Sequence, residues 1–291
     1  MKIFAFLLLS LSLASQCFAQ KILVAGSGWD HIMLLDKKTG KSEWTYKIPS
    51  HFECNGAVLT KDKNIFYANK KNARLIDANQ NLIWEFSAVD TPENREEIQT
   101  ASELRNGNLM IAICGKPARI VELSKKGAVI KEIKFDTEID NIHGQFRQVG
   151  ATKKNTYIVS LMSCKIAWEI DRNGKILNEV KLSFSPFSTK ELPNGNWLLS
   201  GGGGNIQEVD PKTGDIIRKI TGKSIEGAEL LYPTEAIMLK NGNIMVANWN
   251  GHSQDKSQPM LLEFDKDNKL VWALKTNEPI KNLSAFQVLS K

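Results

Sequence analysis

One phrase returns six times along this chain of 291 residues, and it leaves few folds open. It reads "LLDKKTGKSEW" (34–44), "LIDANQNLIW" (75–84), "ELSKKGAVIK" (122–131), "EIDRNGKILN" (169–178), "EVDPKTGDII" (208–217) and "EFDKDNKLVW" (263–272). The aligned positions are Asp36, Asp77, Ser124, Asp171, Asp210 and Asp265, spaced 41, 47, 47, 39 and 55 residues apart. An Asp or Ser bonds to its own backbone a few residues on. A Gly or Asn turn followed by apolar residues then makes a hairpin.

A second phrase precedes it in each unit: "LRNGNLMIAI" (104–113), "LPNGNWLLSG" (192–201) and "LKNGNIMVAN" (239–248), with weaker copies at 60–69 and 152–161. Asn-Gly between two apolar runs is the strongest short-range hairpin signal. Each unit therefore holds two hairpins, or four antiparallel strands. Six such units of roughly 40–50 residues predict an all-β, six-bladed β-propeller.

The ends predict how the ring closes. "QKILVAGSG" (20–28) matches the strand after the Asn-Gly turn in other units but lacks the strand before it. "SAFQVLSK" (284–291) matches that missing strand. The C-terminal strand is expected to complete the first blade beside the N-terminal one, which removes an exposed sheet edge. Residues 20–291 are thus read as a single propeller domain. Residues 1–19 are read as a signal peptide, with Lys2, the apolar "IFAFLLLSLSL" and a cleavage site after Ala19. Gln16 stands where lipoprotein processing needs a small residue, which disfavours anchoring at Cys17. No other stretch approaches the roughly 18 apolar residues of a membrane helix. The expected product is soluble and exported, periplasmic or extracellular, and not membrane-spanning.

Asp36, Thr39, Gly40 and Trp44 match the pyrroloquinoline-quinone (PQQ)-type repeat, with Leu34 in place of its Ala. Through these residues and "ECN" (53–55), "HGQFRQV" (143–149), "IEGAEL" (225–230) and "NWNGH" (248–252), the chain resembles secreted PQQ-like or WD40-like propellers of Bacteroidetes. The resemblance implies the fold and export, and a structural role for the repeat Trp. Quinone dehydrogenases need acidic metal ligands around the cofactor, and many add a vicinal Cys pair. This chain has no Cys–Cys pair and no calcium loop, so no cofactor is expected.

A four-stranded meander sorts the loops. Labelling strands A to D from channel to rim, the A–B and C–D turns share one face. The B–C loops and D–A connections share the other. All four His (His31, His51, His143 and His252) fall on that second face. The twelve candidate ligand-binding residues are His31, His143 and His252 with Trp29, Glu53, Asn55, Gln99, Gln145, Arg147, Glu235, Trp249 and Asn250. Concave sites with a few convergent polar groups are the default binding sites. Arg147 is the sharpest candidate, because Arg grips a carboxylate or sulfate at two points. Strand alternation would put Gln145 beside it.

Composition trims the partners. The formal charge is +6, but Lys is spread through turns rather than gathered in the stripe that nucleic acid requires. Cys54, Cys114 and Cys164 are an odd, widely spaced set, read as packed thiols. No short His or Cys spacing suggests a metal. The reading is an exported propeller that binds a small polar or anionic molecule, a glycan or a protein at the His-rich channel mouth. The alternative is an enzyme of lyase or sulfotransferase type, with His as base and Arg as anion holder.

Overall fold

A computed structural model describes residues 20–49, 52–222, 225–253 and 257–289. His51 and the leader with Cys17 lie outside the described residues. Six four-stranded antiparallel sheets form the ring. From channel to rim, blade 1 is Leu283–Leu289, Lys21–Gly26, His31–Asp36 and Ser42–Lys47. Blade 2 is Gly56–Leu59, Ile65–Ala68, Asn72–Ile76 and Leu82–Ser87. Blade 3 is Glu97–Glu103, Leu109–Cys114, Ala118–Leu123 and Val129–Phe135. Blade 4 is Gly150–Ala151, Tyr157–Leu161, Ile166–Ile170 and Ile176–Lys181. Blade 5 is Pro186–Glu191, Trp197–Gly201, Asn205–Val209 and Ile216–Thr221. Blade 6 is Pro233–Met238, Ile244–Asn248, Leu261–Phe264 and Leu270–Ala273. The closure is the expected one: Lys21 pairs with Leu289 and Val24 with Phe286.

The burial pattern reflects the layering. Strand B lies between neighbouring blades on both faces, so Leu109–Cys114 is buried throughout and reads as a continuous apolar run. Outer strand D alternates, because the blades diverge at the rim. Each hydrophobic cluster joins two adjacent blades. Ile158, Ala167 and Val180 of blade 4, for example, meet Trp197, Leu199 and Val209 of blade 5. The core is therefore a ring of inter-blade seams rather than one central mass. The repeat Trp residues stitch those seams. Trp84 donates to the Lys125 carbonyl in the next blade's turn (3.0 Å), and Lys37 sits 5.2 Å over the Trp272 ring.

All six repeat positions act alike. A side-chain oxygen of Asp36, Asp77, Ser124, Asp171, Asp210 and Asp265 accepts a backbone N–H from two to four residues further on. Backbone hydrogen bonds from Thr39 hold the Asp36 carboxyl below the usual carboxylate range, and those from Asn173 do the same for Asp171. After each turn the outer strand opens with a β-bulge, leaving Glu43, Ile83, Ile130, Leu177, Ile217 and Val271 unpaired. A bulge twists an edge strand away from further pairing. That protects five blade edges whose bulge residue is apolar and about half-exposed.

Candidate functional site

The opposite face is built differently. A cavity of about 210 Å³ opens at the channel mouth. Its polar wall holds Glu53, Asn55, His143 and Arg147, and its aromatic wall holds Phe187, Tyr232, Trp249 and His252. Ser27, Met162, Thr234 and Ser284 complete it. Six of the twelve candidate residues thus meet in one cup, contributed by blades 2, 4 and 6.

The polar wall is a closed network. Glu97 of blade 3 faces His143 Nδ1 at 2.7 Å, and Lys70 backs Glu97 at 3.0 Å. His143 Nε2 lies 2.8 Å from Arg147 Nη2. A guanidinium carries only donors, so Nε2 accepts and the imidazole proton sits on Nδ1, donating to Glu97. Arg147 Nη1 donates to the carbonyls of His143 (2.6 Å) and Phe146 (3.0 Å), and its Nε stands 3.6 Å from Glu53. Asn55 donates to Glu53 (3.2 Å) and Gln99 (2.8 Å), and Gln99 donates back to Glu97 (3.0 Å). Burial alone would raise the Glu97 carboxyl. Hydrogen bonds from His143 and Lys70 outweigh it and hold it at about 2.

Local geometry explains how His143 gets there. Ile142–Gly144 is a single 3₁₀ turn capped by Asn141, whose side chain accepts from the His143 N–H (3.2 Å). Ser163 of the adjacent B–C loop donates to the Gly144 carbonyl (2.9 Å), where a Cβ on Gly144 would overlap its hydroxyl. This turn corrects the expectation that Gln145 and Arg147 share a side. Residues 145–147 are not a strand, and the two side chains take different partners, Gln145 on Gly115 and Arg147 on the His143 and Phe146 carbonyls. Gln145 is 1% exposed and clamps Gly115 through both its N–H and its carbonyl.

The aromatic wall is positioned by the segment "NWNGH". Asn248 is fully buried; its Oδ1 accepts from the N–H of Leu231 (2.8 Å), and its Nδ2 donates to the carbonyls of Glu229 and Pro259. The Trp249 N–H donates to the Tyr232 carbonyl (2.9 Å). Trp249 then meets Tyr232 edge-on (5.9 Å between centroids) and His252 edge-on (4.6 Å), and Tyr232 meets Phe187 the same way (6.0 Å). Gly251 lies under the Trp249 ring, where any Cβ would collide with it. Burial pushes the Tyr232 phenol up, which keeps it a donor.

Below the cup the channel is plugged. Gln148 of blade 4 reaches across to the Asn55 carbonyl (2.9 Å), Glu235 (3.2 Å) and the Ser284 carbonyl (3.3 Å). Glu235 pairs with Lys190 (2.8 Å) and accepts the Phe286 N–H. It belongs to this plug and not to the cup. Gln99 braces the cup from behind. Trp29, 5% exposed, packs into the seam between blades 6 and 1, and His31 lies beside it, 2.8 Å from Asp30. Asn250 is buried in its loop and does not line the cavity. Six cup residues are not among the candidates named from the sequence: Ser27, Met162, Phe187, Tyr232, Thr234 and Ser284. Glu97 and Gln148, which organise it, were missed as well. Glu97 had a signal, being two residues before Gln99 on the same strand face. Cys54 and Cys114 are buried free thiols, pushed up to about 12 by burial, and Cys164 is exposed and free.

Fold and cup together define a six-bladed β-propeller with a plugged channel and a walled cavity at one mouth. Residues 14–269 match the family described as Mal s 1 allergenic protein-like, and the chain belongs to that family. It is similar to a Bacteroides caccae protein of unknown function solved at 1.35 Å. The two share 33% identity over 94% of this chain and 100% of that one, with a TM-score of 0.87. A streptogramin B lyase shares the fold at 15% identity, over 89% of this chain and 80% of its own, with a TM-score of 0.61. So does a catalytically inactive His-to-Ala variant of Staphylococcus aureus virginiamycin B lyase with quinupristin, at 12% identity over 90% and 87%, TM-score 0.59. No curated protein matches the sequence. Among the described residues, no helix is long and apolar enough to cross a membrane, and no cluster of three or more His, Cys, Asp or Glu could hold a metal.

Proposed function

We propose that this protein is an exported binding propeller whose channel-mouth cup takes one ring-sized, hydroxyl-bearing unit of a small molecule or glycan. The observation that carries this reading is the pairing of two unlike walls in one cavity. Phe187, Tyr232, Trp249 and His252 offer aromatic surface, on which the C–H face of a sugar-like ring can lie. Opposite them, Glu53 offers acceptor oxygens to hydroxyl groups. A volume of about 210 Å³ corresponds to about seven waters at roughly 30 Å³ each, room for one ring and its substituents. The plug beneath makes the site a cup with one entrance. No quinone is assigned to it.

Titration calorimetry of the full chain against a panel of free sugars, glycosides and PQQ tests the reading. Binding of at least one ring-bearing polyol is expected, with Trp249→Ala weakening it at least tenfold. A silent panel, or equal affinity in the variant, would sink it. Sequencing the N-terminus of the exported protein tests cleavage after Ala19.

A lyase is the second reading, favoured by the Glu97–His143 pair at 2.7 Å, which fixes an imidazole as in a general base. The streptogramin-lyase neighbours share the propeller, and loss of one His inactivates the variant named above. Here, however, the Nε2 that would take a proton already accepts from Arg147. Binding therefore ranks first. Product formation from a bound ligand, lost in His143→Ala, would reverse the order.

A further inference from the structure

We infer that the cup discriminates against acidic ligands, and that Glu53 is the residue that enforces this. The inference rests on the binding role proposed above and names the ligand class. Arg147 was expected to grip an anion, but three of its five N–H groups are already committed within the protein. Both Nη1 hydrogens go to the backbone carbonyls of His143 and Phe146, and Nη2 is committed to His143. Its side chain is only 6% exposed. A two-point grip on a carboxylate or sulfate needs a pair of free parallel N–H groups; the end-on pair of Arg147 is spent on the turn that holds His143, and its side-on pair already faces Glu53, 3.6 Å from Nε.

Its charge is also answered. Glu53 Oε2 stands 3.6 Å from Arg147 Nε, and Glu97 offsets Lys70 at 3.0 Å. The cup wall therefore carries two cations and two carboxylates around a neutral imidazole. No surplus positive charge is left for an incoming anion.

Glu53 meanwhile has capacity to spare. Oε2 takes the Asn55 N–H at 3.2 Å. Oε1 stands 3.6 Å from His143 Nε2, a nitrogen that is itself accepting, and no hydrogen bond among the described residues reaches it. The side chain is about one-quarter exposed and lines the cavity. A half-satisfied carboxylate at the wall of a largely desolvated cup calls for a donor, such as a hydroxyl or an amide N–H. It repels a second carboxylate, and that repulsion is stronger here than in bulk water because the local dielectric is lower. The preferred ligand is a neutral polyol ring, and a uronate or sulfated counterpart is rejected.

A matched pair of ligands isolates this point: methyl glycosides and the corresponding methyl uronides, which keep the ring and exchange one CH₂OH for a carboxylate. By calorimetry, the wild-type chain is expected to bind the neutral member of its preferred pair at least tenfold more tightly. In Glu53→Gln, which keeps the shape and one acceptor oxygen, the ratio of the two affinities should fall toward one. Glu53→Asp, which keeps the charge, should retain the preference. Raising salt from about 20 mM to about 500 mM should shrink the wild-type ratio, because part of the repulsion is screened; this arm needs no variant. A uronide preference in the wild type, or a ratio unmoved by Glu53→Gln in a chain that still melts cooperatively, would overturn the discrimination and leave the cup intact. No binding in either series would overturn the cup itself.

Discussion

The two faces of this propeller are assembled by opposite strategies. On the turn face, the repeated Asp and Asn side chains work within their own turns. Asp77 accepts from the N–H groups of residues 79 and 81, Asp171 from 173 and 175, and Asp265 from 267 and 269. Asn106, Asn194 and Asn241 each accept from the residue two further on. On the cavity face the decisive bonds span the chain. Glu97 meets His143 across 46 positions, Asn55 meets Gln99 across 44, and Gln148 reaches Ser284 across 136. The turn face is six copies of one solution. The cavity face is a single solution made once, with each blade supplying a different part. Repetition builds the scaffold, and its breakdown builds the site.

That contrast can be broken by substitution. The largest effect belongs to the shared network. Arg147→Ala leaves two backbone carbonyls without donors and Glu53 without its neighbouring cation. Removing one partner of a buried pair costs about 3–5 kcal/mol, so the melting temperature should fall by roughly 6–15 °C. A fall under about 2 °C would mean that the network is ornamental.

The next effect is a pH dependence. The Glu97 carboxyl moves from 4.5 to about 2 in the folded chain. Its contribution is therefore fully present above about 4.5 and is lost as pH falls toward 2. Denaturant titrations at pH 7, 4.5, 3 and 2 should show Glu97→Gln less stable than wild type at pH 7, with the gap closing over the acid window. Parallel curves would contradict the network.

The smallest effect belongs to a single turn. Gly195 has φ +92° with nothing near a prospective Cβ. Gly195→Ala thus bears only the backbone strain of a left-handed residue, about 1 kcal/mol and roughly 2–4 °C in melting temperature. An effect as large as that of Arg147→Ala would mean the turns are coupled after all.

The same contrast explains what could be read in advance. Blade number, strand order and closure by the C-terminal strand came from short-range phrases, because turn chemistry is local, and the structural role of the repeat Trp came from the family resemblance. The face carrying His143 and His252 came from the meander. Membership of the cup did not. Trp29 and Trp249 both sit in B–C loops after similar strands, yet one fills a seam and the other a wall. Their fates depend on tertiary neighbours: Met245, Ala247 and Leu261 of blade 6 help enclose Trp29, whereas Tyr232 and Asn248 hold Trp249 at the mouth. Gln145 and Arg147 were assigned one side by strand alternation, and a 3₁₀ turn of three residues removed the premise.

The sequence by itself determined a six-bladed ring and the face on which its chemistry gathers, because hairpin turns and apolar periodicity act over a few residues and repeat. Only the tertiary structure decided that Arg147 secures His143 and that Glu53 lines the cavity beside it. Which donor meets which acceptor depends on distances between residues on different blades, and no periodicity along the chain encodes those.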